Sequence, residues 1–291
     1  MERSSEKGDA VQSWKFIHNV AHRRPAVFLV VLALAVGASL SLAGCGGEEE
    51  ESQPTPRPTV TAAPQPTPMP TPQDRRQWSF LGQRGITTAF PPADVELYRA
   101  LLPEQFDVPD QPLVAVSVVD YYDVTLPLVP YREGFVALQC EYQGRTGWHV
   151  ITMPVDDETS NVGGRSIGFP KYVADEITLE EQRGGWTGRV VHDGRTVMEI
   201  AFAAQGNAEP ATEGESPAVL QMLPPGQGPE IYEVNTVASG ERRTVTTPGS
   251  ATIRADAGEP WAGLLGPEGS AVWASFEEVT GYWWLEPTQM E

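Results

Sequence analysis

Between Gln53 and Gln73 the chain carries eight prolines, separated mostly by threonines and other small or polar residues. Proline lacks a backbone N–H and fixes φ, so this stretch can neither continue a helix nor supply a central strand. No apolar periodicity runs through it, and it cannot bury a core. Such a segment favours extended polyproline II, at about 3.1 Å per residue. Residues 46–77 would then reach up to ~100 Å as a spacer. Packing is left to residues 78–291, which are long enough for one sizeable core.

The residues before the spacer read as an export signal. A polar segment ends in His22-Arg23-Arg24, and an uncharged apolar run follows from Ala26 to Ala43. A charged region, an apolar region and small residues form a secretory signal. The run closes Leu42-Ala43-Gly44-Cys45, which resembles the bacterial lipobox. That resemblance implies a signal peptide over 1–44, acylation of Cys45 as the new N-terminus, and a disordered linker over 45–77. A plain membrane-spanning anchor is the alternative, because about 18 apolar residues is near the spanning minimum. Both readings place residues 78–291 outside the cytoplasm, tethered to a membrane.

Charge narrows the partners. The formal net charge is −19, with 20 Lys+Arg against 39 Asp+Glu. No basic footprint is available for a nucleic acid, nor a polybasic patch for anionic lipid. Two cysteines cannot make a disulfide framework. Removing residues 1–45 also removes Lys7 and Lys15, so a single lysine remains, Lys171. A bias toward arginine explains few lysines, but not the position of the last one. It sits in Gly168-Phe169-Pro170-Lys171-Tyr172-Val173, whereas solvating lysines favour polar segments. Lys171 therefore reads as a chemical residue.

The domain reads mainly as β. Asp94 can cap a helix over Pro92–Leu102, with Val95, Tyr98 and Leu101/Leu102 at helical spacing. Leu113–Val119 is strand-like. Phe135–Tyr142 and Trp148–Val155 form a hairpin about Gly144-Arg145-Thr146-Gly147. Gly188–His192 and Arg195–Ala203 form a second about Asp193-Gly194. Glu230–Val237 and Ala251–Ala255 add strands, and Pro260–Leu265 a short helix. Short strands with close turns predict one sandwich or barrel.

Several site chemistries find little support. His149 and His192 have no metal-ligand spacing, and no metal or cofactor is expected. Cys140 alternates with apolar neighbours, as a buried inert thiol does. Gly164-Arg165-Ser166-Ile167-Gly168 spells Gly-x-Ser-x-Gly, but Pro170 follows and no βα alternation surrounds it, so a nucleophile elbow is disfavoured.

A larger constellation remains. Pro130-Tyr131-Arg132-Glu133 opens a strand, Met153-Pro154-Val155-Asp156 ends one, and Gly164-Arg165 and Gly168-Phe169-Pro170-Lys171 follow. This succession resembles the acetoacetate decarboxylase family. Trp78-Ser79-Phe80 with Arg84, Leu101-Leu102-Pro103-Glu104, Val219–Pro224 and Gly249-Ser250-Ala251-Thr252 extend the resemblance over about 78–288. It implies a mostly β (α+β) fold, a cone-shaped antiparallel barrel or sandwich with a few short helices. It also implies decarboxylation of acetoacetate or a related β-keto acid through a lysine Schiff base. Lys171 would be the nucleophile, Glu133 the acidic partner and Arg84 the clamp for the substrate carboxylate. Arg165, Phe169, Tyr172 and Met153 would line the substrate. The sequence departs from the family at Tyr172, where the family has a second lysine, and at Ser166, where it often has glutamate.

An amine attacks only when neutral, and a free lysine has a pKa near 10.4. Burial among Phe169, Pro170, Tyr172 and Val173 lowers it; acetoacetate decarboxylase is itself a standard example of lysine activation by desolvation or a neighbouring cation. Two alternatives stay open: aldol-type imine chemistry on a keto acid, and a non-catalytic lipoprotein using the same pocket to hold a ligand. The expected partners are a small keto acid, the membrane through the lipid alone, and other copies of the chain in a possible homo-oligomer.

Overall fold

The computed structural model describes residues 79–211, 218–222, 231–266, 271 and 273–290. The apolar run, Cys45, the proline-rich stretch, Trp78 and Leu223-Pro224 lie outside the described residues. Among the described residues no helix is long and apolar enough to cross a membrane.

The chain runs β1 (Phe80–Phe90), α1 (Val95–Leu101), β2 (Val114–Val124), β3 (Tyr131–Tyr142), β4 (Arg145–Val155), α2 (Glu158–Ser166) and β5 (Lys171–Val173). It continues through β6 (Glu176–Gln182), β7 (Gly185–His192), β8 (Arg195–Ala204), β9 (Glu209–Pro210), β10 (Ala218–Met222), β11 (Ile231–Ala255), a 3-10 turn (Ala262–Leu264) and β12 (Trp273–Gln289). One sheet takes the order β10-β4-β3-β2-β1-β12-β11-β8-β7-β6. β10 also pairs with β11, so seven strands close a circuit and β8-β7-β6 continue beyond it as a flap. The fold is mostly β, as expected; the closed circuit with its flap is less regular than a simple barrel.

Two cores follow from this topology. The inner core draws Phe80, Tyr121, Phe135, Met153, Val219, Val234 and Trp283 from all seven circuit strands. The outer core lies between the circuit and the flap, joining Ile86, Val116, Val118 and Phe276 to Val190, Met198 and Ile200. Gly188 lets the flap approach, since a Cβ there would lie 2.7 Å from the Val118 Cβ.

Coverage on both faces shows in the burial of individual strands. Val114–Tyr121 of β2 is buried at every position, so alternation is lost there. β1 pairs with the first part of β12, Trp273–Trp283, and the two strands mix buried polar residues, among them Gln83, Thr87, Thr88, Ser275 and Glu277, with their apolar ones. The two segments expected at Glu230–Val237 and Ala251–Ala255 are ends of one strand, β11. Its register against β12 slips between Ser239 and Arg243, beside Gly281 at φ 118°, where a Cβ would meet Glu241 O at 2.6 Å. The first hairpin turns earlier than expected, at Gln143-Gly144 (φ 52° and 75°), so β4 begins at Arg145. Asp193-Gly194 turns the second hairpin as expected, with φ 50° and 69°. Asp94 caps α1 by accepting from Leu97 N at 2.9 Å.

Candidate active site

The site is built where β4, α2 and β5 meet. Asp157 caps α2, accepting from Ser160 N at 2.6 Å and fixing the helix's first turn. Ser166 ends the helix, its hydroxyl donating to Gly163 O at 2.7 Å. Gly168 reverses the chain at φ 92°, a left-handed conformation that favours glycine. β5 then runs parallel to β4, placing Lys171 opposite Met153 and Tyr172 opposite Pro154. A helix thus precedes Ser166 where a nucleophile elbow needs a strand.

Lys171 projects into the closed circuit. Its Nζ lies 2.6 Å from Glu133 Oε2, and both side chains are 0% exposed. It also donates to Ser160 Oγ at 3.0 Å and sits 5.5 Å from the centre of the Tyr131 ring. The Tyr131 phenol is hydrogen-bonded to the same Ser160 hydroxyl. Met153 and Phe169 are buried in the inner core around this group. Glu133 stands on β3 between Val119 and Val155, and Tyr131 follows on the same face at the strand's period of two.

Burial sets the protonation states. Desolvation pulls Lys171 below the usual lysine range, with the Glu133 carboxylate only partly opposing it. Desolvation likewise raises Glu133, partly opposed by Lys171. Both shifts favour a neutral amine beside a carboxylic acid. Tyr131 and Tyr121 are pushed well up, first by burial and then by Glu133, and remain O–H donors. The site thus brings together an amine whose neutral form burial favours, a carboxyl group 2.6 Å away and an apolar, aromatic wall.

Gly164 is part of this packing. A Cβ there would lie 2.3 Å from Lys171 Cδ and 2.5 Å from Cε. The lysine is held at its far end by Glu133 and Ser160, so it has little room to yield. Gly164→Ala is expected to cost about 1–3 kcal/mol in stability from overpacking, with kcat falling as Nζ shifts. Denaturant melts alongside steady-state kinetics check this.

Four of the residues singled out in the sequence are thus brought together: Lys171, Glu133, Phe169 and Met153. Three are not. Arg84 is paired with Asp120, its Nε donating to Oδ2 at 3.1 Å, and its guanidinium lies over Trp186 of the flap at 5.4 Å. Asp120 is register-paired with Arg132, the residue before Glu133, so alternation puts Arg84 on the outer face. Arg165 is exposed near the C-terminus of α2. Tyr172 alternates away from Lys171, bonded to Thr152 and 4.7 Å from the His192 ring. A second lysine at position 172 would therefore point away from Nζ.

That outer side also carries an open cleft of about 600 Å³, bordered by Leu101, His149, Thr152, Met222, Glu259 and Trp261. Lys171 does not line it, and the Lys171–Glu133 pair sits on the opposite side of β4. His149 Nδ1 donates to Leu220 O at 3.0 Å, since a carbonyl only accepts, and burial lowers its pKa to about 4. Cys140 is a buried free thiol pushed up to about 12 by burial. Ser160 escaped the sequence reading because Glu158–Ser166, with Gly163-Gly164 inside it, carries no helical apolar period.

The chain belongs to the acetoacetate decarboxylase family, whose profile matches residues 63–280. It is 26% identical over 152 residues to the decarboxylase DEC1 of Cochliobolus heterostrophus, covering 48% of this chain; it spans 58% of the length of that relative. A solved acetoacetate decarboxylase superposes with a TM-score of 0.58 at 17% identity, over 74% of this chain and 89% of the other. The enduracididine biosynthesis enzyme MppR, solved with the condensation product of pyruvate and imidazole 4-carboxaldehyde, gives 0.54 at 13% identity, over 73% and 88%. At these identities the structural likeness concerns the fold.

Proposed function

We propose that this protein is an enzyme that decarboxylates a β-keto acid, acetoacetate or a close relative, through a Schiff base on Lys171. The carrying observation is the wholly buried Lys171–Glu133 pair at 2.6 Å in a member of this family. Neutral Nζ attacks the ketone carbon and one of its protons passes to the former carbonyl oxygen; that hydroxyl takes the Glu133 proton and leaves as water, giving the protonated imine and the Glu133 carboxylate. The protonated imine then draws in the electron pair of the C–CO2 bond, releasing CO2 and leaving an enamine. Solvent supplies the proton that the enamine carbon takes. Hydrolysis releases the ketone, frees the amine and returns a proton to Glu133. The imine is the electron sink. A lowered amine pKa and a raised acid pKa are the states the first step needs.

The test is CO2 release by the full-length chain from a panel of β-keto acids. Turnover of at least one panel member supports the reading; no release from any, by a folded protein, overturns it. Aldol-type condensation on a keto acid is the second reading, favoured by the product bound in MppR. It would appear in the same experiment as keto-acid consumption, with an aldehyde present, without CO2.

We also infer that the domain works outside the cytoplasm, held by acylated Cys45 and a proline-rich stalk. The supporting feature is Leu42-Ala43-Gly44-Cys45 after an uncharged apolar run. Cys45→Ala should abolish incorporation of a fatty-acid probe and leave the precursor uncleaved. Unchanged labelling would contradict the anchor.

A further inference from the structure

The inner face of the circuit carries polar groups that the Lys171 chemistry does not use. Gln83 is 0% exposed, and among the described residues neither its Oε1 nor its Nε2 has a hydrogen-bond partner. The Tyr121 hydroxyl is equally buried and equally unpartnered. A buried amide and phenol without partners are costly, and such groups call for an explanation.

Their placement supplies one. Gln83 precedes Arg84 and takes the opposite, inner face. It sits where the β1–β2 register slips between Gly82 and Arg84, against Tyr121-Tyr122. Tyr121 is register-paired with Tyr131, and their rings stack with centres 4.5 Å apart. The Tyr131 ring is in turn 5.5 Å from Lys171 Nζ. One row across β1, β2 and β3 thus leads from the Gln83 amide to the lysine. Beyond it Phe80 stacks on Trp283 at 4.3 Å, and the Arg242 guanidinium lies 5.5 Å from the centre of the Trp283 ring; among the described residues the Trp283 Nε1 is likewise buried without a partner.

We propose that Gln83 Nε2 and the Tyr121 hydroxyl form the subsite that receives the carboxylate of the keto acid bound at Lys171. This rests on the Schiff-base reading and assigns the role that Arg84, on the outer face, does not fill. Two neutral donors suit a carboxylate that must leave as CO2. They would orient it without themselves adding a fixed positive charge, which would stabilise the departing anion in the ground state. The burial of two unpaired donors is then the cost of a site completed by its ligand.

Tyr121→Phe and Gln83→Leu in the full-length chain test the subsite. Selectivity is read as kcat/KM for acetoacetate decarboxylation relative to acetone methyl-hydrogen exchange, since acetone forms the same imine without a carboxylate. Each variant is expected to lower that ratio at least ~10-fold, with a thermal midpoint equal to or above wild type because an unpaired polar group is removed. An unchanged ratio, or a lowered midpoint with no loss of selectivity, would overturn the proposal in favour of a structural role. Calorimetric titration with butyrate, a carboxylate without a ketone, is independent of imine formation. Binding weakened at least ~10-fold in both variants supports the subsite even if no imine forms. Equal affinity in the variants, or no binding to wild type, overturns it. Loss of imine formation with butyrate discrimination intact would instead sink the Schiff-base reading alone.

Discussion

Lys171→Met should abolish decarboxylation, reducing kcat by at least ~10⁴-fold, or about 5.5 kcal/mol of transition-state stabilisation. Methionine fills the methylene space beside Gly164 but has no amine, so the covalent route closes. The protein should remain folded, because Glu133, already raised by burial, can protonate once its partner is gone. Steady-state CO2 release with circular dichroism on the same sample checks both statements. Activity retained within tenfold would show that Lys171 is not the nucleophile.

The buried pair should also leave a signature in stability, with opposite pH slopes for its two halves. Removing one partner of a buried ion pair typically costs about 3–5 kcal/mol. In Lys171→Met the remaining group is an acid whose folded pKa is raised. Its protonated form is favoured by folding, so stability is retained at low pH and lost as pH rises from the unfolded value through the folded one. In Glu133→Leu the remaining group is a lysine whose folded pKa is lowered. Its neutral form is favoured by folding, so stability is retained at high pH and lost as pH falls through the folded value. The double variant Lys171→Met/Glu133→Leu should lose both slopes and match or exceed wild type by roughly 1–4 kcal/mol. Denaturant melts across pH 5–9 check this; parallel slopes in the two single variants would contradict the pair.

The buried Lys171–Glu133 pair, with Met153 and Phe169 beside it, was legible in the sequence; the facing of other residues was not. Lys171 stood out as the last lysine after the export signal, in an apolar segment where solvating lysines do not sit. Glu133 was found through Tyr131-x-Glu133, a spacing that places both on one face of a strand. Arg84 shows the limit of such reasoning. The resemblance located its strand, but facing depends on register, and a single step of alternation separates the outer Arg84 from the inner Gln83. Tyr172 was misplaced for the same reason, one step from Lys171 on β5. Ser160 could not be seen, because the helix that carries it is glycine-rich and lies between two strands that meet only in three dimensions. The helix at Asp94 and the Asp193-Gly194 hairpin were legible because cap and turn chemistry is local. β1 and β12 were not, because burial on both faces and interior polar residues erase the period.

The central claim is that Lys171 carries the substrate as an imine, and trapping tests it most directly. The full-length chain is incubated with acetoacetate, reduced with borohydride, digested with trypsin and mapped by mass spectrometry. Lys7, Lys15 and Lys171 are the three lysines present. The adduct should fall on Lys171, blocking cleavage there and leaving Ser166–Arg183 as one modified peptide. Its yield should rise with pH through a midpoint below the ordinary lysine value of about 10.4, because burial lowers this amine. An intact, folded chain that shows no adduct at Lys171 near neutral pH, or modification at Lys7 and Lys15 alone, would contradict the account.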